Sequence, residues 1–94
     1  MTTIDQQIHN GSRASEVLTN EQFTGAFEAI EQELMNAWKQ SPQRDAEGRE
    51  KIFTYLTLLA KVKTHLVSTM ETGKLAQLEV RHKRTMLDQA REWL

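Results

Sequence analysis

The most chemically suggestive spacing in the chain is Glu79-x-x-His82, the step that di-iron helices use to place a carboxylate and an imidazole on one face. A metal would need further ligands beside it. Glu79 and His82 sit at the flank and outer side of the helical register that carries Val80 and Leu87, so they point away from any buried seam and read as solvated helix residues. His65, next to Leu66, has no serine or carboxylate at a diagnostic spacing, which makes it a partly buried or surface histidine rather than a catalyst. There is no phosphate-binding glycine loop or dinucleotide fingerprint, because the glycines stand alone. With no cysteine, disulfides, thiolate zinc sites and thiol catalysis are excluded. No nucleophile, base and orienting group come together, so the residues call for no cofactor and no metal, and they describe a chain that is not an enzyme.

The basic cluster Arg81, His82, Lys83 and Arg84, followed two turns later by Arg91, is the other candidate surface. Such a strip could meet phosphates along a helix. The competing explanation is internal: residues 1–50 hold four Lys/Arg and nine Asp/Glu, whereas residues 51–94 hold eight and four. These halves attract one another within a hairpin or between subunits, and Glu79 stands four residues from Lys83. A pI of about 6.3 also differs from that of a typical nucleic-acid binder.

The elements that must position these residues are helical. Four glycines and one proline in 94 residues favour helix from Thr19 onward. Residues 1–18 are polar around Ile4 and Ile8 and run through His9-Asn10-Gly11, which predicts a flexible N-terminal arm before a single helical domain over 19–94. Thr19 and Gln22 have capping-box spacing, and Leu18 and Phe23 that of a hydrophobic staple. Phe23, Phe27, Ile30, Leu34 and Trp38 then recur at three- and four-residue steps, giving a helix over 20–40 that stops at Ser41-Pro42.

A second helix is expected from Ser41 or Asp45, either of which can cap it, through about residue 72. Its wide stripe of Ile52, Tyr55, Leu56, Leu59, Val62, Leu66 and Met70 can meet the first helix in an antiparallel αα-hairpin. Ile52, Leu59, Leu66, Gly73, Val80, Leu87 and Leu94 form an unbroken heptad series in which only Gly73 lacks an apolar side chain. Gly73 is therefore either a left-handed cap before a third helix over 74–93 or a position inside one long helix. The retained phase of Val80, Leu87 and Leu94 favours continuity. In that case Gly73→Ala should add up to about 1 kcal/mol of stability. A helix of about 50 residues would extend about 75 Å, and a 20-residue partner would cover about 30 Å of it, leaving the C-terminal half to another chain.

The fold class is thus all-α: an antiparallel helical hairpin with a long, heptad-patterned C-terminal helix, continuous or broken at Gly73, and oligomeric. Ile52, Leu59, Leu66, Val80 and Leu87 are the expected interface, with Trp93 and Leu94 as a docking end. Arg81, Lys83, Arg84 and Arg91 are candidate contacts to nucleic acid or to an acidic partner. No stretch approaches the roughly 20 apolar residues of a membrane span, and no apolar leader is visible, so the expectation is a soluble protein made in a cytoplasm.

The run Ala37-Trp38, Ser41-Pro42 and Arg44-Asp45-Ala46-Glu47-Gly48-Arg49-Glu50-Lys51, with Val62, His65-Leu66 and Thr72-Gly73-Lys74-Leu75-Ala76, resembles small uncharacterised helical proteins encoded among the virion and DNA-packaging genes of tailed bacteriophages and prophages. The likeness spans residues 22–76 and carries no catalytic motif or binding residues. It implies a minor virion, head-completion or assembly protein that oligomerises on a larger head, portal or tail assembly and is located in the virion. Its partners would be copies of itself and other virion proteins. Two other functions remain open: a phage DNA-binding packaging or regulatory protein using the strip from Arg81 to Arg91, and a phage inhibitor of one host protein.

Overall fold

Three helices account for nearly all of residues 3–93, which are the residues described by the computed structural model. They are α1 (Ile4–Thr19), α2 (Glu21–Gln40) and α3 (Ala46–Trp93). Among the described residues there is no strand.

Helix α1 occupies the stretch that composition marked as a flexible arm. Its start is a reciprocal capping box: the Gln6 N–H donates to Thr3 Oγ1 at 3.1 Å, and the Thr3 N–H donates to Gln6 Oε1 at 2.9 Å. Ile4, Ile8, Gly11, Ala14 and Leu18 repeat at helical steps, but two of these positions are too small to register as an apolar stripe. Thr19 ends α1, its hydroxyl donating to the Ser15 carbonyl at 2.8 Å, so it does not cap the next helix. That task falls to Asn20, whose Oδ1 accepts the Phe23 N–H at 3.0 Å. Asn20 is the whole joint between α1 and α2, with an extended backbone at φ −73° and ψ 120°.

Helix α2 stops where Pro42 requires. Ser41 is extended at φ −66° and ψ 139°. Asp45, rather than Ser41, caps α3 by accepting the Gly48 N–H at 3.0 Å. Near this turn the Arg49 guanidinium lies 4.2 Å from the centre of the Trp38 ring. Farther along, Phe27 and Met35 line a groove with Leu56, Leu59 and Ala60, so α2 runs back beside the first part of α3. Phe23 and Phe27 stack at 5.3 Å on the inner side of α2.

Helix α3 passes through Gly73 without interruption. The glycine is there for closeness, not for a turn. Its φ is negative, and a Cβ built on it would lie 2.8 Å from the Gly11 Cα and 2.9 Å from the Gln7 carbonyl oxygen. Reciprocally, a Cβ on Gly11 would lie 2.7 Å from the Gly73 Cα. Two helices meet backbone to backbone here, and Ala14 and Ala76, each 4 % exposed, complete the contact. This corrects the expected gain from Gly73→Ala: helix continuity favours alanine, but the facing backbone leaves no room for it.

With α1 and α2 laid one after the other along α3, the coverage of α3 extends farther than a hairpin alone allows. Half-buried residues continue to Val80, and every described residue from Arg81 onward is exposed. The uncovered part is therefore a projecting tip rather than the whole C-terminal half. The molecule measures 76 × 25 × 18 Å, and its radius of gyration is 20.9 Å. A compact chain of this length would have a radius of about 12 Å.

Candidate functional site

The heptad series divides into a covered part and a bare part. Ile52, Leu59, Leu66 and Val80 are half-buried and Gly73 is buried, all within one chain. Leu87 remains 62 % exposed and Trp93 88 % exposed, while Leu94 lies outside the described residues. The chain's own helices thus take most of the seam that the sequence assigned to a second subunit. What they leave is its distal end, where Val80 and Leu87 line a shallow groove with Lys83, Arg84 and Arg91.

A second set of exposed apolar side chains escaped the sequence reading. At 100° per residue, Phe53, Ala60, Leu75, Leu78, Met86 and Trp93 fall within an arc of about 80° centred opposite Gly73, where they alternate with Thr57, Thr64, Ser68, Glu71, His82 and Gln89. All six apolar residues are exposed, Leu75 by 67 % and Phe53 by 65 %. Their spacings of seven, fifteen, three, eight and seven residues, with polar residues between, make a weaker signal than the heptad phase. Gly11, Ala14 and Ala76 were missed for a different reason, since small residues carry little apolar weight until a close helix crossing gives them meaning.

Exposure on this scale is unusual for a monomer. The chain presents 7994 Å² of accessible surface. A compact folded monomer of 10.9 kDa would present about 5,600 Å². Among the described residues no large side chain is fully buried, and the close-packed centre consists of glycines and alanines.

Arg81, Lys83, Arg84 and Arg91 are all exposed on the tip. Among the described residues, the ion pairs are Arg13–Glu16, Glu47–Lys51 and Glu79–Lys83, each within one helix. None joins the carboxylates of α2 to the basic tip, because those carboxylates flank α3 near Lys63 while the tip begins about 27 Å farther along the helix axis. Within one chain the acidic half is therefore brought near Lys63, which lines a groove with Glu28 and Glu31, but not near the basic tip. Glu79 is engaged with Lys83 at 3.4 Å, and both Glu79 and His82 face solvent. His65 is exposed too. Among the described residues no group of three or more potential ligands is placed to hold a metal ion. Nor is any described helix long and apolar enough to cross a membrane.

The arrangement thus offers helix faces for packing, one apolar groove beside α2 bordered by Glu31 and Lys63, and a basic, apolar-edged tip. No known protein family, no curated protein and no solved structure matches this chain.

Proposed function

We propose that this chain is a non-enzymatic bacteriophage minor virion or assembly protein, which works by helix-mediated oligomerisation on a larger head, portal or tail assembly. The observation that carries the reading is the tip of α3. Residues 81–93 project beyond the other helices with Met86, Leu87 and Trp93 bare among charged neighbours, and apolar side chains left in water are stabilised when another protein covers them. The likeness of residues 22–76 to phage-encoded helical proteins supplies the setting. Copies of itself and other virion proteins are the partners, and the virion is the location.

Mass spectrometry of purified particles tests the reading directly. The protein should be present at a fixed copy number, and deletion of residues 91–94 should reduce its incorporation while α1, α2 and the body of α3 stay folded. Particles that contain none of it, with the chain recovered on a host factor, would replace this reading with that of a host-directed inhibitor.

A second reading, a small DNA-binding packaging or regulatory protein, is favoured by one observation. The basic tip stands clear of the acidic α2 and so has phosphate-seeking groups to offer. It requires DNA affinity that falls steeply with salt and is lost on replacing Arg81, Arg84 and Arg91 together.

A further inference from the structure

We infer that the projecting tip of α3, residues 81–93, is a helical ligand that seats Met86, Leu87, Ala90 and Trp93 in an apolar groove of a different protein, a groove whose rim is acidic beside Arg84 and Arg91. The inference rests on the function proposed above, and it names the chemistry of the partner and the residues that enter it.

Spacing is the first support. Met86, Ala90 and Trp93 stand at i, i+4 and i+7, the steps by which one face of a helix enters a groove, and Leu87 lies one turn before Ala90. At 100° per residue the four fall within an arc of about 120°, which a floor and two walls can enclose. All four are exposed. Of residues 81–93, Lys83 is the one charged residue inside this arc, and it pairs with Glu79, one turn nearer the body, at 3.4 Å. The tip is about 20 Å long and lies wholly past Val80, the last half-buried residue, so a partner can close around it without meeting α1 or α2.

Charge is the second support, and it is one-sided. Arg84 and Arg91 share the edge of the arc beside Leu87, about 10 Å apart along the helix axis. The opposite edge, beside Trp93, carries His82 and Gln89 instead. Among the described residues neither arginine takes part in an ion pair, so both guanidinium groups are available to carboxylates on one wall of a partner's groove.

The same arrangement disfavours other occupants. A phosphate backbone would leave Met86, Leu87 and Trp93 in water and would meet the carboxylate of Asp88, which lines one surface with Arg84 and Arg91. A second copy offers the groove beside α2, but there Lys63 shares the rim with Glu31 and repels the cations of the tip. A protein groove that is apolar within and acidic along one wall satisfies the arc and its basic edge together, and the absence of arginine from the other edge orients the tip inside it.

Calcium-loaded calmodulin is the probe, because it accepts basic amphipathic helices in an apolar, methionine-rich groove that closes when calcium is removed. Calorimetric titration of the full chain should give a micromolar Kd with calcium and no binding in chelator. Met86→Asp and Trp93→Asp, both at exposed positions and checked for unchanged helical circular dichroism, should each weaken binding about tenfold or more. Arg84→Glu with Arg91→Glu should do the same, whereas Arg81→Glu, away from the edge, should change the Kd by less than about threefold. No binding to the calcium-loaded probe, or binding that survives Met86→Asp and Trp93→Asp, overturns the inference. So does tighter binding to a DNA duplex or to phosphatidylserine vesicles than to the probe, and so does self-association that Trp93→Asp abolishes. Particles separate this result from the virion reading. A chain that binds the probe through its tip but is absent from particles keeps the ligand role and removes the virion setting, whereas Met86→Asp and Trp93→Asp chains that enter particles at the wild-type copy number do the reverse.

Discussion

Gly73→Ala isolates the contact on which the placement of α1 depends. An alanine Cβ at 2.8 Å from the Gly11 Cα must move to at least 3.4 Å, so the helices must part by about 0.6 Å or more. The obstacle is backbone on both sides, the Gly11 Cα and the Gln7 carbonyl oxygen, so no rotamer change relieves it. Overpacking of this kind costs about 1–3 kcal/mol, and the unyielding neighbours place it at the upper end. Alanine's higher helix propensity returns about 1 kcal/mol. The net expectation is a loss of about 1–2 kcal/mol, or a fall in Tm of roughly 4–16 °C for a domain of this size. Gly25→Ala is the internal control, because it lies within α2 and a Cβ there meets nothing within 4 Å. That change should raise stability by up to about 1 kcal/mol. Urea titrations followed by circular dichroism, at one chain concentration, measure both. Hydrogen exchange adds a local readout, since residues 4–19 should lose protection in Gly73→Ala before the rest of the chain does. Equal stabilisation by the two substitutions would refute the close crossing and return Gly73 to the role of an ordinary helix glycine.

Thr3→Ala removes the hydroxyl half of the capping box and should destabilise α1 by about 0.5–2 kcal/mol, visible as faster amide exchange over its first turns. Leu59→Asp places a charge on a half-buried position between α2 and α3, so thermal unfolding should show a large loss of stability whatever the oligomeric state. Leu87→Asp, at a bare position, should leave Tm nearly unchanged while weakening recruitment to particles. Glu79→Ala breaks only an exposed pair with Lys83 and should alter stability by less than about 0.5 kcal/mol in the same titrations.

Much of the helical framework was legible because helix ends and helix faces are local properties. Ser41-Pro42 ends α2, Asp45 starts α3, and the unbroken phase of Ile52, Leu59, Leu66, Val80 and Leu87 marks one helix running through Gly73. Each of these signals acts over three or four residues, or repeats with the helix period, so the chain carries it before anything packs. The role of Gly73 belongs to another scale. A glycine that caps, one that loosens and one that admits a neighbour look alike along the chain, and only the position of Gly11 across the gap distinguishes them. The same holds for residues 4–19: Gly11 and Ala14 lower the apolar signal of α1 and at the same time permit its closest packing, so composition suggested an arm where tertiary contact holds a helix. The heptad seam announced that α3 needs cover, but a stripe of leucines does not specify its partner. Tertiary structure gave most of that seam to α1 and α2, and by doing so it turned Phe53, Leu75, Leu78, Met86 and Trp93 outward, onto the face that no helix of the same chain covers.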